Sequence, residues 1–458
     1  MTRNQTRIHR CVLLPALLAA ACRCGGGDSA ADADAEGGCT FASCDLECRA
    51  AGRCYGSCSG GTCRCSTSCG DVDADAGHDD AALDDGATDD AGGAEDGEVV
   101  IERREGASPG VACRKVPSPS PDSTTQKDGQ GARIVFTPVL PASYVPLVSY
   151  DWSSASARIL DDLSDLPGIS GTVRLAESPS LEYPRVAYGV GFFESRTRSV
   201  SWLVVLDIES GEKRIISEIA GDLDRGASAF ADVQLRYPWL GWRELGEMPG
   251  VPDATYVWDA YAQNLETGQE MTLERRTPVK AFDLLGATAV ASAGVIYEVD
   301  VVTDDLVQIS STPPSNGIWD GVITPDWIAW LDQRNRPECT RTSPCDTEIW
   351  GFDRRTRMEV PLVASPGMHG PDLDGEGEWL AYADQRDDPN PHEALDRRQN
   401  IYALHLPTMT EIRVEDWPGY QMKPRVYRGV DEWRVLLVEE VSYLPAAMDL
   451  WDCSLPDL

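Results

Sequence analysis

Histidine is scarce, with five in 458 residues. His9 and His78 fall in low-complexity or leader-like chain and His405 at a turn, leaving His369 and His392, too few for a histidine-rich metal site. The chain also has no G-x-S-x-G elbow, no phosphate-cradling G-x-x-x-x-G-K-[ST] loop and no H-E-x-x-H pair. No metal or other cofactor is therefore expected. Basic residues are outnumbered, 40 Lys and Arg against 75 Asp and Glu, for a net charge of −35. That balance argues against nucleic acid, whose phosphates need clustered cations. Tryptophan is missing from the first 151 residues, although the chain has 13. The early chain is thus not ordinary globular sequence. From Asp71 to Glu98 there are twelve acidic residues and no Lys or Arg, set among Ala and Gly. Such a run cannot bury enough apolar surface to offset its ordering entropy, so it reads as a solvated, self-repelling linker. An acidic partner-binding tail is the competing reading.

At the N-terminus, Arg3, Arg7 and Arg10 precede "CVLLPALLAAA", an apolar stretch too short to span a bilayer. It ends in "LLAAAC", which resembles the lipobox of bacterial lipoproteins, with Ala19 where Leu is usual. The resemblance implies removal of residues 1–21 and lipidation of Cys22 as the mature N-terminus. Ordinary secretion, with Cys22 in a disulfide, is the alternative. No later run of 18 apolar residues exists, so membrane attachment is expected through lipid alone. The expected address is the cell envelope: outer membrane, periplasmic or surface-exposed.

An exported chain keeps disulfides. Eight cysteines lie between Cys39 and Cys69, in a segment too small for a core of its own. Four disulfides are expected there, of a connectivity the sequence does not choose. Zinc competes poorly, since the segment has no His. The organisation is then a leader (1–21), a tether (22–38), a disulfide module (39–69), an acidic linker (70–112) and one large domain (113–458).

That domain repeats itself. "WIAWLDQR" from Trp327 returns as "WLAYADQR" from Trp379. After them come "EIWGFDRRTRMEVPL" and "NIYALHLPTMTEIRV", each alternating, turning at a Thr and alternating again. Earlier copies are "LVSYDWSSASARIL", "WLVVLDIESGEKRII", "AYAQNLETGQEMTL" and "VIYEVDVVTDDLVQI". The turn begins at Asp151, Asp207, Asn264, Asp300, Asp353 or His405, and Ser or Thr stands three residues on. Short side-chain oxygens at these positions can hold a tight turn locally. A truncated seventh copy, "MDLWDCSL", puts an anchor at Asp452. Anchors 36–57 residues apart, built only from short strands, predict a β-propeller with one four-stranded sheet per repeat. Seven blades are expected, six being the alternative. The last blade lacks its outer strand, which Ala132–Val139 would supply, closing the ring. These words resemble the TolB-type, WD40-like propeller repeat of bacterial envelope proteins. The resemblance spans about Val135 to Leu455, and blade four departs from it by lacking the Asp-x-Arg word.

In the pairs Asp332/Arg334 and Asp384/Arg386, two residues apart on a strand, both side chains share a face and are expected to bond each other or a neighbour. The blades differ mainly between their second and third strands. Blade four turns there with little more than "SAG", whereas the loops 335–347 and 387–399 are long. Binding residues favour variable loops on a rigid scaffold, although neutral insertion also produces such loops. The candidate binding residues are Arg334, Arg336, Arg341, Asp387, Asp388, His392, Arg397 and Arg398. Cys339 and Cys345 are expected to bond within their loop, and Cys113 to bond Cys453 across the ends of the ring. The expected function is non-catalytic binding of a protein, peptide or glycan by a monomeric, lipid-anchored propeller. An envelope glycan lyase or hydrolase using propeller carboxylates, and a TolB-like periplasmic scaffold, are the alternatives.

Overall fold

Strand Trp327–Asp332 sends Ile328 and Trp330 to one side and Ala329 and Leu331 to the other, as the two-residue period of an extended chain requires. The computed structural model describes residues 55–59, 62–66, 101–117, 127–138, 144–163, 174–193, 198–222, 230–247, 256–273, 279, 281–311, 318–334, 347–364, 369–388, 399–443 and 446–458. In it this strand is the second of four in an antiparallel sheet, after Ile318–Ile323 and before Glu348–Asp353 and Met358–Val363. Its two faces meet different sheets. Ile328 and Trp330 pack on the preceding one, Ala329 and Leu331 on the following one.

Seven such sheets succeed one another. Their first strands are Lys127–Gln130, Arg174–Glu182, Phe230–Arg236, Ala281–Leu285, Ile318–Ile323, His369–Glu376 and Tyr420–Arg428. These pack side by side in a closed ring, the last returning against the first. The fold is an all-β, seven-bladed propeller, and no helix occurs among the described residues. Seven apolar clusters fill the seven interfaces between neighbouring blades. Trp330, Trp379 and Trp451 are fully buried in them; each such side chain contributes roughly 1.5–3 kcal/mol. Blade four closes its second hairpin at residues 293–295, which explains its short repeat. Separately, Tyr55–Ser59 and Thr62–Ser66 form an antiparallel hairpin. The side chains of Cys39 to Cys69, and so their pairing, lie outside the described residues.

The turn anchors behave as expected. Asp353 Oδ1 accepts the N–H groups of Arg355 (2.9 Å) and Thr356 (3.0 Å). Asp207, Asn264 and Asp300 do the same for the two residues that lie two and three positions on. Backbone and side-chain donors hold the carboxyls of Asp207, Asp300 and Asp353 below the ordinary range. His405 reaches Thr408 Oγ1 through Nδ1 at 2.8 Å. The seventh anchor is different. Leu455, not Asp452, bonds back to Trp433 at the strand end. Asp452 lies inside the third strand, fully buried, accepting from Tyr427, Arg434 and Arg114.

Closure also departs from expectation. The outer strand of blade seven is Ala112–Lys115, with Arg103–Glu105 beyond it. Ala132–Val139 is committed elsewhere, because Arg133–Phe136 is the second strand of blade one. Propeller chain therefore begins upstream of residue 113. Cys113 and Cys453 are register partners, Cα atoms 4.0 Å apart, and form the predicted disulfide. Lys115 pairs with Asp449 at 2.7 Å and Arg104 with Glu439 at 2.9 Å along the same seam.

Candidate functional site

The first strands are bulged. Ladder register slips at Glu177/Ser180, Ala231/Gln234, Trp319/Val322, His369/Leu373 and Met422/Arg425. At four of these bulges Ser178, Asp232, Asp320 and Lys423 hold a positive φ of 46–51°. Bulges re-aim side chains, and Asp tolerates this backbone region better than most residues. The re-aimed polar side chains line the propeller axis, and several of them bind the next blade.

Those contacts stitch every junction. Asp128 Oδ2 accepts Leu181 N–H (2.7 Å), Ser180 Oγ accepts Leu235 N–H (2.9 Å) and Asp232 Oδ2 accepts Phe282 N–H (3.0 Å). Asp283 Oδ2 accepts Ile323 N–H (2.9 Å), the Asp320 carboxyl accepts Leu373 N–H, and Asp374 Oδ2 accepts Val426 N–H (2.6 Å). Arg425 completes the circle. It donates to Asp128 (3.0 Å), Asp374 (2.8 Å) and Gln234 (3.0 Å), so blade seven holds blades one, six and three.

Above this belt is a cavity of about 280 Å³, lined by side chains from all seven blades. First strands begin on the side of the disc where the strand-two-to-three connections lie, and the lining residues Ser178, Asp372 and Lys423 precede the belt residues Ser180, Asp374 and Arg425 along their strands. The cavity therefore faces the elaborated side. Its charges are segregated. Asp232, Asp283, Asp320 and Asp372 come from blades three to six, Lys127 and Lys423 from blades one and seven. Asp232 is neutralised by Arg243 at 2.5 Å. Asp320 Oδ2 is buried with no hydrogen-bond partner. Burial, with Asp372 and Asp232 nearby, drives its carboxyl well above the ordinary range. Burial likewise pushes Asp283 to about 6 and Glu376, at the far end of the axis, to about 7, and pulls Lys127 down to about 7. Away from the axis, burial raises Glu415 to about 7 even though Ile401 and Trp417 donate to it.

These shifts predict a pH profile. A raised carboxyl stays protonated in the folded chain after the unfolded one has released its proton. The stability contributed by Asp283, Glu376 and Glu415 is full below the unfolded carboxylate values and is lost as pH rises through 6–7. Lys127 has the opposite sign: its contribution is present above 10.5 and lost as pH falls through about 7. Below neutrality the carboxyls dominate. The melting midpoint is expected to rise as pH falls from about 7.5 to about 5.5, and Glu415→Gln to shrink the rise. A wild-type midpoint that falls across this window would contradict the assignment.

The repeated Asp-x-Arg words carry structure. Arg334 Nε donates to buried Asp332 (2.8 Å), its guanidinium bonds Glu359 on the fourth strand and lies 3.8 Å over Trp350. Arg386 clamps Asp384 and Glu411 in the same way over Tyr402. Arg334, a candidate for binding, is thus committed to its own blade. Asp387 accepts from Tyr402 and pairs with Arg413 at 3.3 Å, and Asp388 is buried with its N–H on Gln385 O. Arg336, Arg341, His392, Arg397, Arg398, Cys339, Cys345 and Cys22 lie outside the described residues. The axial residues escaped sequence reasoning. One signal was there: Asp232, Asp320 and Asp372 stand at one fixed distance before Trp239, Trp327 and Trp379. Among the described residues no three His, Cys, Asp or Glu are grouped to hold a metal ion.

No protein-family model and no curated protein sequence matches the chain. Among solved structures it is similar to an oligogalacturonate lyase in complex with manganese, at 13% identity over 78% of this chain and 96% of that one, TM-score 0.50. It is also similar to a prolyl endopeptidase (13% identity, 74% of this chain but only 50% of that one, TM-score 0.48) and to TolB from Acinetobacter baumannii (13%, 64% and 66%, 0.37). At such identities the likeness shows the propeller fold and nothing further.

Proposed function

We propose that this propeller is a non-catalytic binding module of a cell-envelope lipoprotein, anchored through Cys22. Its partner, a protein, peptide or glycan, docks on the face where the first strands begin. The observation that carries this reading is the axial cavity on that face, with charges of both signs not all spent on internal pairs. The opposite face is built from near-identical turns whose side chains bond their own backbone. Pockets with a few convergent polar groups are the usual binding sites of rigid scaffolds. The long segments 335–347 and 387–399 join the second and third strands of blades five and six, and their mixed charges suit a polar partner surface.

The experiment uses the full chain, expressed with its leader. Wild type is expected to incorporate labelled fatty acid and to capture a partner from envelope extract, and Cys22→Ser to lose only the label. Shortening both loops to the three-residue turn of blade four is expected to leave the melt intact and abolish capture. Unchanged capture by a folded, loop-shortened protein would remove the binding reading; a labelled Cys22→Ser protein would remove the anchor.

A further inference from the structure

The axial cavity holds ionisable groups of both kinds that its own side chains pair only in part. Arg425 is spent on Asp128 and Asp374, and Asp232 on Arg243. What remains are the Asp320 carboxyl on blade five, which burial keeps from ionising in the free protein, and the ammonium groups of Lys127 and Lys423 on blades one and seven, with Asp372 of blade six beside Lys423. Asp320 on blade five has Oδ2 buried without a hydrogen bond, and no ion pair among the described residues. On blades one and seven, Lys127 donates to Lys423 O, and no hydrogen bond fixes the Lys423 ammonium among the described residues. Asp372 accepts the backbone N–H of Lys423 at 3.0 Å and lies in the field of both lysines.

We propose that this cavity is a receptor for a small zwitterion, an amino acid or short peptide, with its ammonium on Asp320 and its carboxylate on Lys423. The assignment rests on the reading of this face as the binding face and names the ligand class. Three observations support it. The volume, about 280 Å³, lies at the lower edge of small-molecule pockets, which suits a ligand of amino-acid size over an oligosaccharide. Charges of both signs line one cavity: Asp320 comes from blade five and Lys423 from blade seven, with Asp372 of blade six bonded to the Lys423 backbone and in the field of both lysines. A molecule with both charges satisfies Asp320 and Lys423 together. Finally, a buried carboxyl oxygen without a hydrogen-bond partner is costly to the free protein, and an ammonium supplies the donors that would hold the ionised form.

The test is calorimetric titration of the full chain with the standard amino acids and glycylglycine. Each binder is compared with its amine-only and acid-only analogues. At least one zwitterion is expected to bind, and both analogues to bind at least about tenfold more weakly, the worth of one charge-assisted hydrogen bond. Asp320→Asn and Lys423→Gln are each expected to weaken binding by at least about tenfold. Asparagine also tolerates the positive φ of 47° at that position, so Asp320→Asn is expected to melt no lower than wild type. The analogue series needs no variant and keeps the proposal open to refutation should either substitution unfold the chain. Absence of any zwitterion binding to natively melting protein overturns the proposal, as does an amine that binds as tightly as its amino acid. If loop shortening abolishes partner capture while no zwitterion binds, the binding face stands and the ligand class falls.

Discussion

Arg425→Met is expected to destabilise the propeller by roughly 3–5 kcal/mol, the cost of stripping a buried charge of its partner. Asp128 and Asp374, both buried, would be left facing each other's field without the guanidinium that now lies 3.0 and 2.8 Å from them. The side chain also reaches Gln234 on blade three, so one substitution loosens the junctions of four blades. Arg425→Lys should recover little, since an ammonium cannot fork to three acceptors in one plane. Denaturant unfolding of both variants at neutral pH measures this. A loss below about 1 kcal/mol at neutral pH would mean that the carboxylates find other donors.

The second large effect belongs to the covalent clasp. Cys113→Ala with Cys453→Ala is expected to cost roughly 2–5 kcal/mol, the usual range for a native disulfide. The sequence separation is 340 residues, for which the chain-entropy model nominally gives about 6 kcal/mol, above what is normally measured. The ring should stay closed in the native state all the same. Arg114 holds Asp452 at 2.9 Å and Arg104 holds Glu439, so the outer strand keeps polar anchors independent of sulfur. Hydrogen exchange is expected to accelerate first in Trp433–Tyr443 and Ala446–Ser454, which lose the tether. An unchanged thermal midpoint, with mass spectrometry confirming the bond in wild type, would show that the seam carries closure alone.

The sequence by itself determined the blade. Strand alternation, an Asp or Asn reaching N–H groups two and three residues ahead, and an Arg two residues beyond a buried Asp are short-range relations, so they read off the chain directly. Repetition then multiplied one legible unit into a count of seven, and the partnership of Cys113 with Cys453 followed from the need to close a ring. Tertiary structure alone decided the rest. Ala112–Lys115 and Ala132–Val139 are both short alternating segments, and only the demand of blade one for Arg133–Phe136 tells which is free to complete blade seven. Asp452 resembles a turn residue until Tyr427, Arg434 and Arg114 surround it. The axial cavity is the extreme case. Asp320 and Asp372 share with Asp232 a fixed spacing before a Trp, but that they and Lys423 face one small volume is settled only after all seven blades have closed. Side chains contributed singly by seven distant strands show no local sign of their common neighbourhood, because what unites them is the symmetry axis of the ring.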